Sequence, residues 1–158
     1  MAVSGRLYTV SFSNVTLSAV QDLFLLIAGS GKGLGLHSIE LGQITGVTVA
    51  NLRLRIRMHP VTVTNGSGGT APTPQKTNNN DAAATFTARA NDTTQSSSSG
   101  TTADMVATVV NTINGFVWYP PVPGRPLVCP VSGAIAISLD TAPSSLVFNG
   151  SVTVEEFP

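Results

Sequence analysis

Two imidazoles, His37 and His59, and one thiol, Cys129, are the side chains of this chain best suited to general-base, metal or nucleophilic chemistry. Both histidines fall on predicted strands that can be neighbours, so a facing pair is conceivable. No acidic residue stands at a metal-binding spacing from either, and a structural or exposed histidine is the plainer reading. Cys129 lies between apolar residues and prolines, with nothing nearby to depress its pKa, and reads as a small buried hydrophobe. No serine sits in a G-x-S-x-G elbow, and no two carboxylates are suggestively placed. Gly31-Lys32-Gly33 fails as a phosphate loop, because Gly33 replaces the required Ser or Thr and a strand follows where a helix is needed. The sequence therefore predicts no catalytic residue, no cofactor and no metal, and the chain is expected not to be an enzyme.

Contact chemistry is better represented. Arg53, Arg55 and Arg57 alternate with Leu52, Leu54, Ile56 and Met58. A strand is the only regular backbone that separates those two sets onto opposite faces. Three of the eight basic residues thus share one face of one strand. Such a stripe can be a solvated face paired with scattered acids, a fork-like contact for carboxylates of another protein chain, or a nucleic-acid contact. Phe116-Val117-Trp118-Tyr119-Pro120-Pro121 is the one aromatic cluster. Trp118 and Tyr119 can be core residues beside a turn, anchors of a protein interface, or a platform for a sugar. Arg53, Arg55, Arg57, Trp118 and Tyr119 are the candidate protein-interface residues.

The elements that must carry these residues are strands. Tyr8, Val10 and Phe12 alternate with Thr9 and Ser11. Leu23 to Ile27 is a continuous apolar run, which suits a strand covered on both faces, with a short helix as the alternative. Gly29 to Gly35 is a glycine-rich reversal, and a strand follows from Leu36 to about Gln43. Later candidates are Met105–Val110, Gly115–Tyr119, Leu127–Val131, Ala134–Leu139 and Leu146–Val154, the last divided by an Asn149-Gly150 turn signal. Some eight short strands without a βαβ rhythm predict an all-β antiparallel sandwich, a jelly roll first and an immunoglobulin-like sandwich second. Residues 1–158 form one domain, with an extended low-complexity loop or arm at about 62–104. Its Pro, Gly, Asn and Ser runs cannot fold alone. They suit either a surface excursion or an arm that becomes ordered against a neighbouring subunit, with Ala82 to Ala90 laid on the body as a short strand or helical turn.

Composition narrows the partners. The 158 residues carry eight basic and eight acidic side chains, and only 10 % are charged. That leaves little field to attract nucleic acid, so none is expected as a partner. At 42 % hydrophobic, the chain can build a real core. A single cysteine allows no intramolecular disulfide. The longest apolar run, Leu23 to Ala28, is far short of a membrane span, and the N-terminus lacks the pattern of a signal peptide. No membrane is expected as a partner. Four Asn-x-Ser/Thr triplets, beginning at Asn14, Asn65, Asn91 and Asn149, are expected to be chance matches.

Gly5-Arg6-Leu7-Tyr8-Thr9-Val10-Ser11-Phe12, Ala19 to Phe24, His37 to Gln43, Asn91-Asp92-Thr93, Trp118-Tyr119-Pro120-Pro121 with Arg125-Pro126, and Gly150 to Glu156 together resemble small structural proteins of tailed bacteriophages. The likeness spans most of the chain but carries no chemically diagnostic motif. It implies a jelly-roll cement or decoration protein of the virion that binds and stabilises the assembled head shell. The implied partner is the major capsid protein or another virion protein, with the chain itself a homo-oligomer, trimer or dimer. The implied location is the capsid surface, after synthesis in the host cytoplasm. Two alternatives remain: a tail-fibre or receptor-binding tip recognising a host surface glycan, and a small β-sandwich enzyme or lectin of cellular origin.

Overall fold

Alternating apolar residues, many of them β-branched, set up thirteen β-strands among the described residues, which in this computed structural model are 5–44 and 50–158. In chain order they are β1 (Arg6–Leu17), β2 (Gln21–Ile27), β3 (Gly33–Gln43), β4 (Asn51–His59), β5 (Val63–Thr64), β6 (Gln75–Lys76), β7 (Thr87–Asp92), β8 (Ser97–Ser98), β9 (Ala103–Asn111), β10 (Phe116–Trp118), β11 (Leu127–Cys129), β12 (Ala134–Leu139) and β13 (Leu146–Phe157). No helix occurs among the described residues.

Two antiparallel sheets face each other as a sandwich. The front sheet runs β10–β3–β13–β1–β6, with β11 also on β3, and the back sheet runs β7–β2–β12–β4–β9. A two-stranded sheet, β5–β8, lies apart from both. The pairs nest: β1 with β13, β2 with β12, β3 with β10 and β11, and β4 with β9. Inward residues of the two sheets make the core, including Tyr8, Val10, Leu36, Ile39 and Val154 in front and Phe24, Leu26, Leu54, Ile56 and Ile135 behind. Each such side chain contributes about 1.5–3 kcal/mol on leaving water. The Phe12 and Phe24 rings meet across the sheets at 5.1 Å, and Tyr8 meets Phe86 edge-on at 5.5 Å.

β2 is covered on both sides, as its unbroken apolar run requires. Leu23, Phe24 and Leu26 join the main core, while Leu25 packs with Ala134 and Ala136 on the outer face of the back sheet. Val63 and Ile27 close over that second cluster. The covering layer comes from residues 62–104, and this changes the reading of that stretch. It lies along its own domain, with a strand overlapping the Ala82–Ala90 piece expected on the body: β7 is a full edge strand of the back sheet, β6 pairs with β1, and the Tyr8 hydroxyl donates to the Ala82 carbonyl at 3.1 Å.

Asn149-Gly150 also departs from expectation. β13 passes straight through it as one twelve-residue strand. The glycine serves close approach: a Cβ at Gly150 would stand 2.5 Å from Phe12 Cε1 and 2.9 Å from Leu41 Cδ2. The register break in β1 between Phe12 and Val15 is taken up by Asn14 at φ 56°, a residue type that tolerates the left-handed region. The Asn14 N–H donates to Asn149 Oδ1 at 2.8 Å. Gly150→Val is therefore expected to lower stability by about 1–3 kcal/mol through overpacking. Urea denaturation measures this, and an unchanged midpoint refutes it.

A sealed polar cluster and an apolar flank

The outer face of the back sheet gathers polar residues from distant parts of the chain. β2 brings Asp22, β4 brings Arg57 and His59, β12 brings Ser138, and the covering segment brings Ser96 and Thr102. Arg57 Nη2 donates to Asp22 Oδ1 at 2.8 Å, and the Ser138 hydroxyl reaches the same oxygen at 2.5 Å. Ser96 gives Asp22 Oδ2 its N–H at 2.7 Å and its hydroxyl at 2.5 Å. Arg57 Nε also donates to Ser138 Oγ at 3.0 Å. Four donors thus surround one carboxylate, as burial of a charge demands.

The same geometry sets the state of His59. A carboxylate only accepts, so the single hydroxyl proton of Ser96 goes to Asp22. His59 Nε2, 3.1 Å from Ser96 Oγ, must then carry a proton and donate it, while Nδ1 accepts from the Thr102 hydroxyl at 3.0 Å. Burial pushes the His59 pKa below its ordinary value, and the Arg57 charge adds to this against an opposing pull from Asp22. A neutral, fully hydrogen-bonded imidazole results. The trio of Ser96, His59 and Asp22 carries the right residue types for nucleophilic catalysis in the wrong order, since serine stands between the other two and surrenders its proton to the acid. All three are buried, so no substrate reaches them. The cluster is a lock between the sheet and the segment that covers it.

This corrects the arginine stripe. Alternation does place Arg53, Arg55 and Arg57 on one side of β4, but the chain itself roofs that side over Arg57. Arg57 is buried on Asp22. Arg55 bonds Asp104 at 3.0 Å and also pairs with Asp140. Their partners lie on β2, on β9 and just after β12. Only Arg53 of the three remains exposed. Arg57 is therefore an internal ion-pair residue rather than an interface residue, while Arg55 is paired within the chain and keeps part of its side chain at the surface.

The other chemical candidates are separate. His37 lies on the front sheet, 2.7 Å from Glu155 Oε2, and does not face His59. Cys129 is fully buried opposite Leu34, and burial pushes its thiol up to about 11. Among the described residues no group of His, Cys, Asp and Glu could hold a metal ion, and no helix is long and apolar enough to cross a membrane.

Trp118 and Tyr119 fall in a different environment. Of twelve exposed large hydrophobics among the described residues, eight lie between Met105 and Val131, on β9, β10, β11 and the turns that adjoin them. Tyr119 and Val117 are 61 % and 60 % exposed and Val109 is 59 % exposed. Trp118 is half-buried, packs against the core and walls a depression of about 300 Å³ with Met105, Val106, Pro120, Pro121 and Leu127. The depression joins β9 of the back sheet to β10 and β11 of the front sheet. Of the residues expected at an interface, Tyr119 and Arg53 are exposed, Trp118 and Arg55 are partly exposed, and Arg57 is buried. Met105 lines the same depression, while Val109 stands opposite Arg53 on the outer face of the back sheet and Val128 opposite Gly35 on that of the front sheet; their outward positions on predicted strands were the available signal. Comparison with known proteins finds no matching family model, no matching curated protein and no matching solved structure.

Proposed function

We propose that this chain is a virion structural protein, a cement or decoration protein that binds an assembled bacteriophage head shell through the flank carrying Val117, Trp118, Tyr119 and Val128. The observation that carries the reading is the concentration of exposed apolar side chains on β9, β10, β11 and the turns that adjoin them, on a protein with few charges to keep its surfaces apart. The nested strand pairs support the jelly-roll form of sandwich that the sequence resemblance implies. The one catalytic-looking trio is sealed and used to hold the fold, which favours a contact role over an enzymatic one. Repetition of a modest contact over a symmetric shell converts weak single-site affinity into avidity. The partner in this reading is the major capsid protein or another virion protein, at the capsid surface.

The test is binding of the purified protein to head shells that lack it. Tyr119→Ala together with Val117→Glu should weaken binding by tenfold or more, since buried aromatic anchors carry about 2 kcal/mol or more each. The melting temperature should stay near that of the parent. Undiminished binding by this variant overturns the reading.

A second reading, a tail tip recognising a host glycan, draws on an open depression of about 550 Å³ across the front sheet. It is lined by Ser11, Ser151, Asn149, Glu40 and Val117, which it shares with the first surface, with Gly42 leaving its floor open. Copy number in purified particles separates the two, because a shell protein matches the shell's subunits in number and a tail tip does not.

A further inference from the structure

The two flanks of the sandwich treat their strand edges differently. On one flank, the covering segment closes both edges. β6 pairs with β1 through Tyr8–Lys76 and Thr9–Gln75. Thr70 bridges the β7 edge by exchanging two 2.9 Å hydrogen bonds with Ala90. On the opposite flank, β10 and β11 are three-residue pieces, while β9 runs for nine residues and pairs only with β4 among the described residues. Its other side is a row of backbone donors and acceptors with no strand laid on it.

Apart from a bulge at its start, β9 also lacks the usual guards of a free edge. Natural edges carry lysine or proline, or are kept short. β9 reads Ala-Asp-Met-Val-Ala-Thr-Val-Val-Asn, with no lysine and no proline. Its single charge, Asp104, is held by Arg55 of the same chain. The register irregularity against β4 lies at Asp104–Val106, which leaves Val106 to Val110 a regular stretch. Val109 stands out from this stretch at 59 % exposure.

We propose that the free edge of β9 pairs with the same edge of a second copy of this chain, antiparallel about a two-fold axis at Thr108. This rests on the reading of the flank as a contact surface and assigns its β9 part to self-association, leaving the β10–β11 part for the shell. The occupant follows from the edge's self-complementarity. In this register Thr108 faces Thr108 of the second copy, Val106 faces Val110, and Ala107 faces Val109. No pair sets two charges against each other, so the like-charge repulsion that disfavours most self-pairings is absent. Side chains at matching positions fall on the same face of the joined sheet, because the three pairings keep strand parity. The two five-stranded back sheets then form one continuous sheet, and the two-fold axis closes the assembly at two copies.

Sedimentation equilibrium from about 1 µM upward, across the range where dimers of ordinary affinity dissociate, tests this on the full chain. The parent should pass from 16.2 kDa towards twice that mass as concentration rises. Val109→Lys should stay monomeric at the same concentrations while melting within about 2 °C of the parent, since the side chain is exposed. Hydrogen exchange provides a readout that needs no variant: amides within Val106 to Val110 should gain protection with concentration. A parent at the single-chain mass throughout, or a Val109→Lys variant that associates as the parent does, overturns the proposal. A monomeric parent whose shell binding still depends on Tyr119 and Val117 defeats this proposal alone. A dimeric parent indifferent to those residues in shell binding defeats the functional reading alone.

Discussion

Replacing Asp22 with alanine is expected to cost about 3–5 kcal/mol of folding stability, because it strips the partner from the buried Arg57 guanidinium and leaves three further donors facing nothing. The side chain is 1 % exposed, so water cannot take over the role. Arg57 would keep its bond to Ser138, which does not neutralise its charge. The double variant Asp22→Leu with Arg57→Met should recover much of the loss, since removing both charges of a buried pair is far milder than removing one. Urea denaturation of the parent and both variants gives the comparison. A loss below about 1 kcal/mol for Asp22→Ala would mean that the cluster is not closed to solvent. Because Asp22 holds Ser96 by two bonds, the same variant should also expose the 62–104 segment to protease.

Strands were legible wherever side-chain period and burial agreed. β4 shows its two faces by strict alternation, and β2 shows double coverage by its unbroken apolar run. Cys129 was legible as core for the same reason. What covers the outer face of the back sheet was not legible, because Ser, Thr, Asn and Gly runs carry no apolar period and fold only against a surface supplied by the rest of the chain. Arg57 fell out of the exposed arginine stripe for that reason. Alternation fixes which side of a strand a residue occupies, and says nothing about whether that side meets water. The partners Asp22, Asp104 and Asp140 are 35, 49 and 85 residues from their arginines. An acid inside the apolar start of β2 was the one clue, since a lone carboxylate there must find a cation. Asn149-Gly150 misled in the opposite way. Its turn propensity is real, but the Phe12 ring takes the space a Cβ would occupy, so glycine is required in mid-strand.

A second buried carboxylate ties the middle of the covering segment. Glu156 is 2 % exposed, and its Oε1 accepts the Thr85 N–H at 2.9 Å, the Thr85 hydroxyl at 2.5 Å and the Phe86 N–H at 3.1 Å. Its Oε2 meets Lys32 Nζ at 3.4 Å. Burial pulls the Glu156 pKa upward, but the bonds from Thr85 and the nearby Lys32 charge outweigh it, and the folded value lies below the ordinary one. Glu156→Ala should therefore cost about 2–4 kcal/mol at neutral pH, because it leaves two backbone N–H groups and a hydroxyl without an acceptor. Glu156→Gln keeps a carbonyl oxygen for those donors and should cost about 1–2 kcal/mol. A depressed carboxylate pKa gives stability that is present above the unfolded value, 4.5, and lost as pH falls through the folded value. The gap between parent and Glu156→Ala should thus narrow as pH drops below 4.5. Other carboxylates titrate equally in both proteins and cancel in that difference. A gap that stays constant into acid would show that the charge of Glu156 does not hold the segment, and that only its shape does.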